Sequence, residues 1–224
     1  MRKSLRFFHV LLTAALFPVL LQADVTAPEP GTGDLEQVNK TSRSELQIDT
    51  SVDWNRYTKI KLERATVAFR KHWIRDQRNR MGNRPQERDI ERIKSDLSDL
   101  LDEVFTRKVN EDGTYTLTDE PGEGIMLITP SVINLNIIAP DRMRSSIGYS
   151  LTDSAGSMTL LLEIRDSVSG ALIAKSRDVS EDPRKGYFEW TTSGTNRRSA
   201  ELMLVRWSKG VLKWLEAARA ESAQ

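Results

Sequence analysis

The clearest alternation of apolar and polar positions lies in Ser157–Asp166, where Met158, Leu160, Leu162 and Ile164 fall on one face at a two-residue period. That period belongs to a half-buried strand. Ser167-Val168-Ser169-Gly170 follows as a turn, and Ala171–Val179 reads as the returning strand of a hairpin. In Tyr57–Phe69, Ile60 and Leu62 alternate with Lys59, Lys61 and Glu63, and the phase then shifts to Ala65, Val67 and Phe69. One strand with a bulge near Arg64 accounts for the shift. Ile125–Ile138 is the most apolar strand, and Pro130 inside it predicts a break or an edge position. Tyr115–Thr118 is a further short strand.

Two segments change to a helical period. Ile90, Ile93, Leu97, Leu101, Val104 and Phe105 recur at steps of three and four, with Arg88, Glu91, Arg92, Asp99 and Glu103 on the opposite side. Pro85, Glu87 and Asp89 suit the start of that helix, and Asn110–Gly113 its end. A second helix spans Asn196–Ala220, with Leu204, Trp207, Val211, Leu215 and Ala218 as its apolar stripe. Arg70–Pro85, Ala139–Gly156 and Glu181–Gly194 read as loops. Each helix has one stripe to bury, so the expected fold is α+β. It is a two-layer sandwich of a mixed, mostly antiparallel sheet with two amphipathic helices on one face. The strand–helix–strand start allows one parallel pair.

The beginning of the chain follows a different rule. Arg2, Lys3 and Arg6 precede an apolar run, Phe7–Leu21, and then Gln22-Ala23 before Asp24. Charge, apolar core and a small residue, in that order, predict an export signal cut near Ala23 and a periplasmic or secreted product. The run is shorter than the roughly 20 apolar residues that span a bilayer and contains Pro18. No later stretch is apolar enough to cross a membrane. Pro28, Pro30 and Gly31 then mark a flexible tether. The organisation expected is signal 1–23, tether 24–50, a single α/β domain 51–220 and a tail 221–224.

The 224 residues are enough for one domain with its own core. Cysteine is absent, which excludes disulfides, thiolate metal sites, a cysteine nucleophile and a lipoprotein anchor. Without Arg2, Lys3 and Arg6 the formal charge falls from +1 to −2, too balanced for a general nucleic-acid binder.

Candidate chemistry is sparse. Past the signal, His72 is the one histidine, which argues against a metal site of the imidazole type. No serine sits in a Gly-x-Ser-x-Gly elbow, and no glycine-rich run precedes a helix. We expect no catalytic residue, metal or cofactor. Paired acids occur at Asp96/Asp99, Asp102/Glu103 and Glu181/Asp182. They leave a carboxylate-dependent hydrolase as the alternative function, although such runs are commonly solvated faces. The most unusual stretch is basic with interleaved aromatics: Arg64, Arg70, Lys71, Arg75, Arg78, Arg80 and Arg84 around Phe69 and Trp73. Trp73, Arg75 and Arg78 are therefore candidate contacts for an anionic envelope partner, an acidic protein surface or an anionic lipid. The plainer reading is that these charges pair with Asp119 and Glu120, with the Asp99–Glu103 face, or with solvent, and that Trp73 packs inside.

Several blocks together resemble a bacterial envelope family known as domain of unknown function 3313: Trp73–Arg80, Ile128–Asp141, Ser154–Gly170 and Thr191–Glu201 leading to Trp207. The resemblance covers roughly Tyr57 to Leu215. It implies an envelope protein and brings no activity and no catalytic residues. Many members look like lipoproteins, and this chain departs from them in lacking the cysteine. The function expected is an exported binding or assembly module.

Overall fold

The computed structural model describes residues 34–81, 85–137, 151–152, 156–181, 189–190 and 193–223. In chain order the elements are β1 (Leu35–Lys40), β2 (Ser44–Asp49), β3 (Lys59–Leu62), β4 (Thr66–Phe69), α1 (Trp73–Met81), α2 (Glu87–Asp112) and β5 (Thr116–Leu117). They continue with β6 (Ile125–Ile137), β7 (Leu151–Thr152), β8 (Gly156–Asp166), β9 (Leu172–Glu181), β10 (Glu189–Trp190) and α3 (Ser193–Ser222). The main sheet runs β1-β2-β9-β8-β6-β3-β5, with β4 also on β6. The pairs of β6 with β3 and β4, and of β3 with β5, are parallel. The other four in that sheet are antiparallel. β7 and β10 pair with each other.

The two-layer α+β architecture follows from the two periods. Met158, Leu160, Leu162 and Ile164 of β8 share a core with Leu97, Leu101, Val104 and Phe105 of α2. Leu204, Trp207, Val211, Leu215 and Ala218 of α3 close the same core. Gly113 ends α2 in the left-handed region, φ 76°, and its N–H reaches the Val109 carbonyl at 3.0 Å. At the base, Asp166 accepts from the Tyr57 hydroxyl at 3.0 Å, the Arg56 guanidinium at 3.1 Å and the Ser169 hydroxyl at 2.9 Å. The β8–β9 turn is thereby tied to the chain that precedes β3.

Five expectations need correction. The tether does not extend to residue 50, because β1 and β2 form a hairpin and β2 pairs with β9. β1 is exposed along nearly all its length, so it carries no apolar alternation; backbone pairing holds it, with one side-chain bond from the Gln37 amide to the Leu46 carbonyl at 3.5 Å. The domain therefore begins no later than Leu35. Second, the basic stretch after Arg70 is a helix, α1, entered through His72 at φ 69°. Its buried Trp73 and Gln77 lie one turn apart. Third, the strand from Tyr57 is two strands, β3 and β4, with a gap at residues 63–65 in place of a bulge.

Fourth, Pro130 neither breaks β6 nor lies at an edge; it is buried and in register with Leu162. The Ile128 carbonyl accepts from the Glu63 N–H on the β3 side. By the two-residue period the Pro130 nitrogen faces the same way, into the gap between β3 and β4, so no ladder bond is lost. Fifth, the tail begins no earlier than Ala223, since α3 runs to Ser222, whose hydroxyl accepts from the Trp54 N–H at 3.2 Å. The export signal, and residues 139–150 and 153–155 of the expected polar excursion, lie outside the described residues.

Candidate functional site

Trp73, Arg75 and Arg78 line one open groove of about 670 Å³ together with Phe69, Arg70, Glu87 and Lys94. Trp73 is 1% exposed; its ring stacks on Phe69 at 3.9 Å and its indole N–H donates to the Ile137 carbonyl at 2.8 Å. It is an anchor that docks α1 onto the end of β6. Arg75 and Arg78 are exposed, and the Arg75 guanidinium lies 3.5 Å from Asp76. Arg70 is held by Asn136 and Asp76, both at 2.8 Å. Arg64 pairs with Asp99 at 2.7 Å, the intramolecular pairing weighed in the plainer reading. His72 is exposed at the entrance to α1.

The paired acids are separated by their surroundings. Burial pushes the Asp102 carboxyl up, Arg64 pulls it back down, and the neighbouring Asp99 pushes it up again. Asp96, Asp99 and Glu103 are exposed on α2, and Glu103 takes an ion pair from Arg197 at 3.1 Å. Glu181 pairs with Arg43 at 2.8 Å, while Asp182 lies outside the described residues. Among the described residues, no three His, Cys, Asp or Glu side chains gather as metal ligands.

A site that sequence reasoning missed lies where the two layers meet at the loop end. A cavity of about 310 Å³ opens between the first half of α2, the first turns of α3, the end of β6 and the start of β8. That is the volume of about ten waters and sits at the lower end of small-molecule pockets. Ile93, Leu97 and Leu100 line it from α2, Leu135 and Ile137 from β6, and Met158, Ala200 and Met203 complete it. Its polar groups are few: Asp96, Arg197, Asn196, Ser157 and Ser199.

Two features shape this space. Asn134 adopts φ 53°, and the β6–β8 register shifts between Ile133 and Asn136. This bulge brings Leu135 and Ile137 onto the helix-facing side that Val132 occupied before it. Gly156 opens β8 where a Cβ would lie 2.6 Å from the Asn136 carbonyl oxygen, so no side chain fits there. The available signal was apolar surplus on the helices. Leu100 and Met203 lie beside the expected stripes and widen the apolar faces of α2 and α3 toward the cavity.

No family model matches the chain, and no curated protein matches it. Solved structures with some likeness include two PelC dodecamers from Paraburkholderia phytofirmans, each 9% identical, with TM-scores of 0.33 and 0.34. They match 78% of this chain, and 95% and 94% of theirs. Protein XCC0632 from Xanthomonas campestris, of domain-of-unknown-function family 330, is 8% identical with a TM-score of 0.39 over 75% of this chain and 90% of its own. Likeness at this level assigns no family. No described helix is long and apolar enough to cross a membrane.

Proposed function

We propose that the chain is an exported binding module of the bacterial cell envelope that takes an apolar group into the cavity between α2, α3, β6 and β8. The observation that carries the binding is the cavity's composition: aliphatic and thioether walls with a thin polar margin. Each methylene transferred there from water is worth about 0.8 kcal/mol. A short apolar chain or ring is therefore favoured over a charged ligand, with Asp96 and Arg197 left to meet a polar head at the mouth. The export half of the reading rests on the charge–apolar–small order of residues 2–23 and on the resemblance to the envelope family of domain 3313.

The test of binding is titration of the purified chain with the neutral fluorophore N-phenyl-1-naphthylamine. One saturable site is expected, and Ala200→Phe, which fills the cavity, weakens it at least tenfold. Equal binding by parent and variant overturns the site. Export is checked separately by mass spectrometry of the periplasmic fraction, where a chain starting near Asp24 is expected and an intact first residue in the membrane fraction refutes it.

A further inference from the structure

A second groove, independent of that cavity, lies under the other half of α3. The helix-facing side of the sheet is apolar along β8, where Leu160 and Leu162 point inward. One strand further on it becomes polar. In register with Leu160 is Asp178, and in register with Leu162 is Ser176. Beyond Asp178 in the next strand stands Ser44. Polar side chains on a face that a helix covers are errors of patterning unless they serve a function.

The carboxylate of Asp178 is half-buried and accepts no hydrogen bond from a described residue. Burial raises its pKa, with Arg206, Arg177 and Arg43 acting in the opposite direction. The roof is α3, where Trp207, Gly210 and Trp214 line the groove at helical spacing. Trp207 is 5% exposed, and its indole N–H has no acceptor among the described residues. Gly210 is a poor residue for a helix interior, yet a Cβ there meets nothing within 4 Å. Alanine would fit and would strengthen the helix, so the missing side chain leaves space between two indoles.

We propose that this groove binds one neutral, hydroxyl-rich ring, a hexopyranose unit either free or within an oligosaccharide. The charges select neutrality. An ammonium that satisfied Asp178 would meet Arg206, and an anion that satisfied Arg206 would meet Asp178, both of which line the groove. A hydroxyl does both tasks, donating to the carboxylate and accepting from a guanidinium. The half-buried Trp214 indole offers flat apolar area for the C–H face of a sugar ring. The space, about 240 Å³ or some eight waters, holds a single ring.

Saturation-transfer NMR on the purified chain with glucose, N-acetylglucosamine, cellohexaose and chitohexaose tests this. At least one probe binds. Signal from monosaccharides points to a free sugar, and signal from the hexamers alone points to a ring within a chain. Asp178→Asn and Gly210→Leu each weaken binding at least tenfold without lowering the melting temperature, because neither removes a packing contact. Absence of binding by the parent overturns the proposal, as does undiminished binding by both variants. Loss of binding with a lower melting temperature in both also overturns it, since the two residues are then structural. Ala200→Phe leaves this groove unchanged, so its fate and that of the apolar cavity are read separately.

Discussion

Removing the Trp73 indole is the sharpest test of how α1 is held. The side chain is 1% exposed, stacked on Phe69 at 3.9 Å, and its N–H reaches the Ile137 carbonyl at 2.8 Å. Truncation of such a residue, Trp73→Ala, is expected to cost about 3–5 kcal/mol. At about 2–4 °C per kcal/mol for a chain of this size, the melting temperature falls by roughly 6–20 °C. Trp73→Phe keeps most of the packing and removes only the donor. The Ile137 carbonyl has a second donor, the Gln77 amide at 3.0 Å, so this variant leaves no orphan and costs about 0.5–1.5 kcal/mol.

The double variant Trp73→Phe/Gln77→Met strips both donors. Its cost is expected to exceed the sum of the singles by about 1–3 kcal/mol, the penalty of an unpaired carbonyl. Urea unfolding of the four chains, read as a double-mutant cycle, measures the coupling. A Trp73→Ala chain within about 0.5 kcal/mol of the parent refutes the anchoring role, because that is the range of surface substitutions. Additive singles refute the shared carbonyl.

Leu160→Ala, at a side chain fully shut from solvent, is expected to cost about 2–5 kcal/mol by urea melt, whereas Arg78→Ala stays within about 0.5 kcal/mol. Gly156→Ala sets a Cβ 2.6 Å from the Asn136 carbonyl oxygen and should destabilise by about 1–3 kcal/mol while distorting the apolar cavity, measurable as weaker N-phenyl-1-naphthylamine binding. Burial raises the Asp166 carboxyl, but the Ser169 N–H and hydroxyl, the Tyr57 hydroxyl and the Val168 N–H outweigh it and hold its pKa below the ordinary value. Its stabilisation is therefore complete above about pH 3.9 and is lost as pH falls through the lower folded value. Asp166→Asn should show a flatter acid-unfolding profile over that window, and an unchanged profile refutes the assignment.

Where one side chain period ran long enough, the sequence alone determined the element and its buried face. β8 with its turn and β9, α2 from Glu87 to Gly113, and the stripe of α3 were all legible, because a helix or strand with one apolar face has one way to bury it. The phase shift between Leu62 and Ala65 was legible too, but its form was not. Whether it is a bulge or two strands depends on β6 pairing with both pieces and on Pro130 facing the gap. β1 was invisible, since a strand exposed on both faces carries no alternation and is held by β2, chiefly through backbone pairing. α1 was hidden because Trp73 and Gln77 make one turn of contact to a carbonyl 60 and 64 residues away, which no local pattern encodes. Both cavities belong to the same class. Leu100, Leu135, Met203, Asp178 and Gly210 are unremarkable in order along the chain, and only the packing of two helices on a register-shifted sheet decides which space between them stays open.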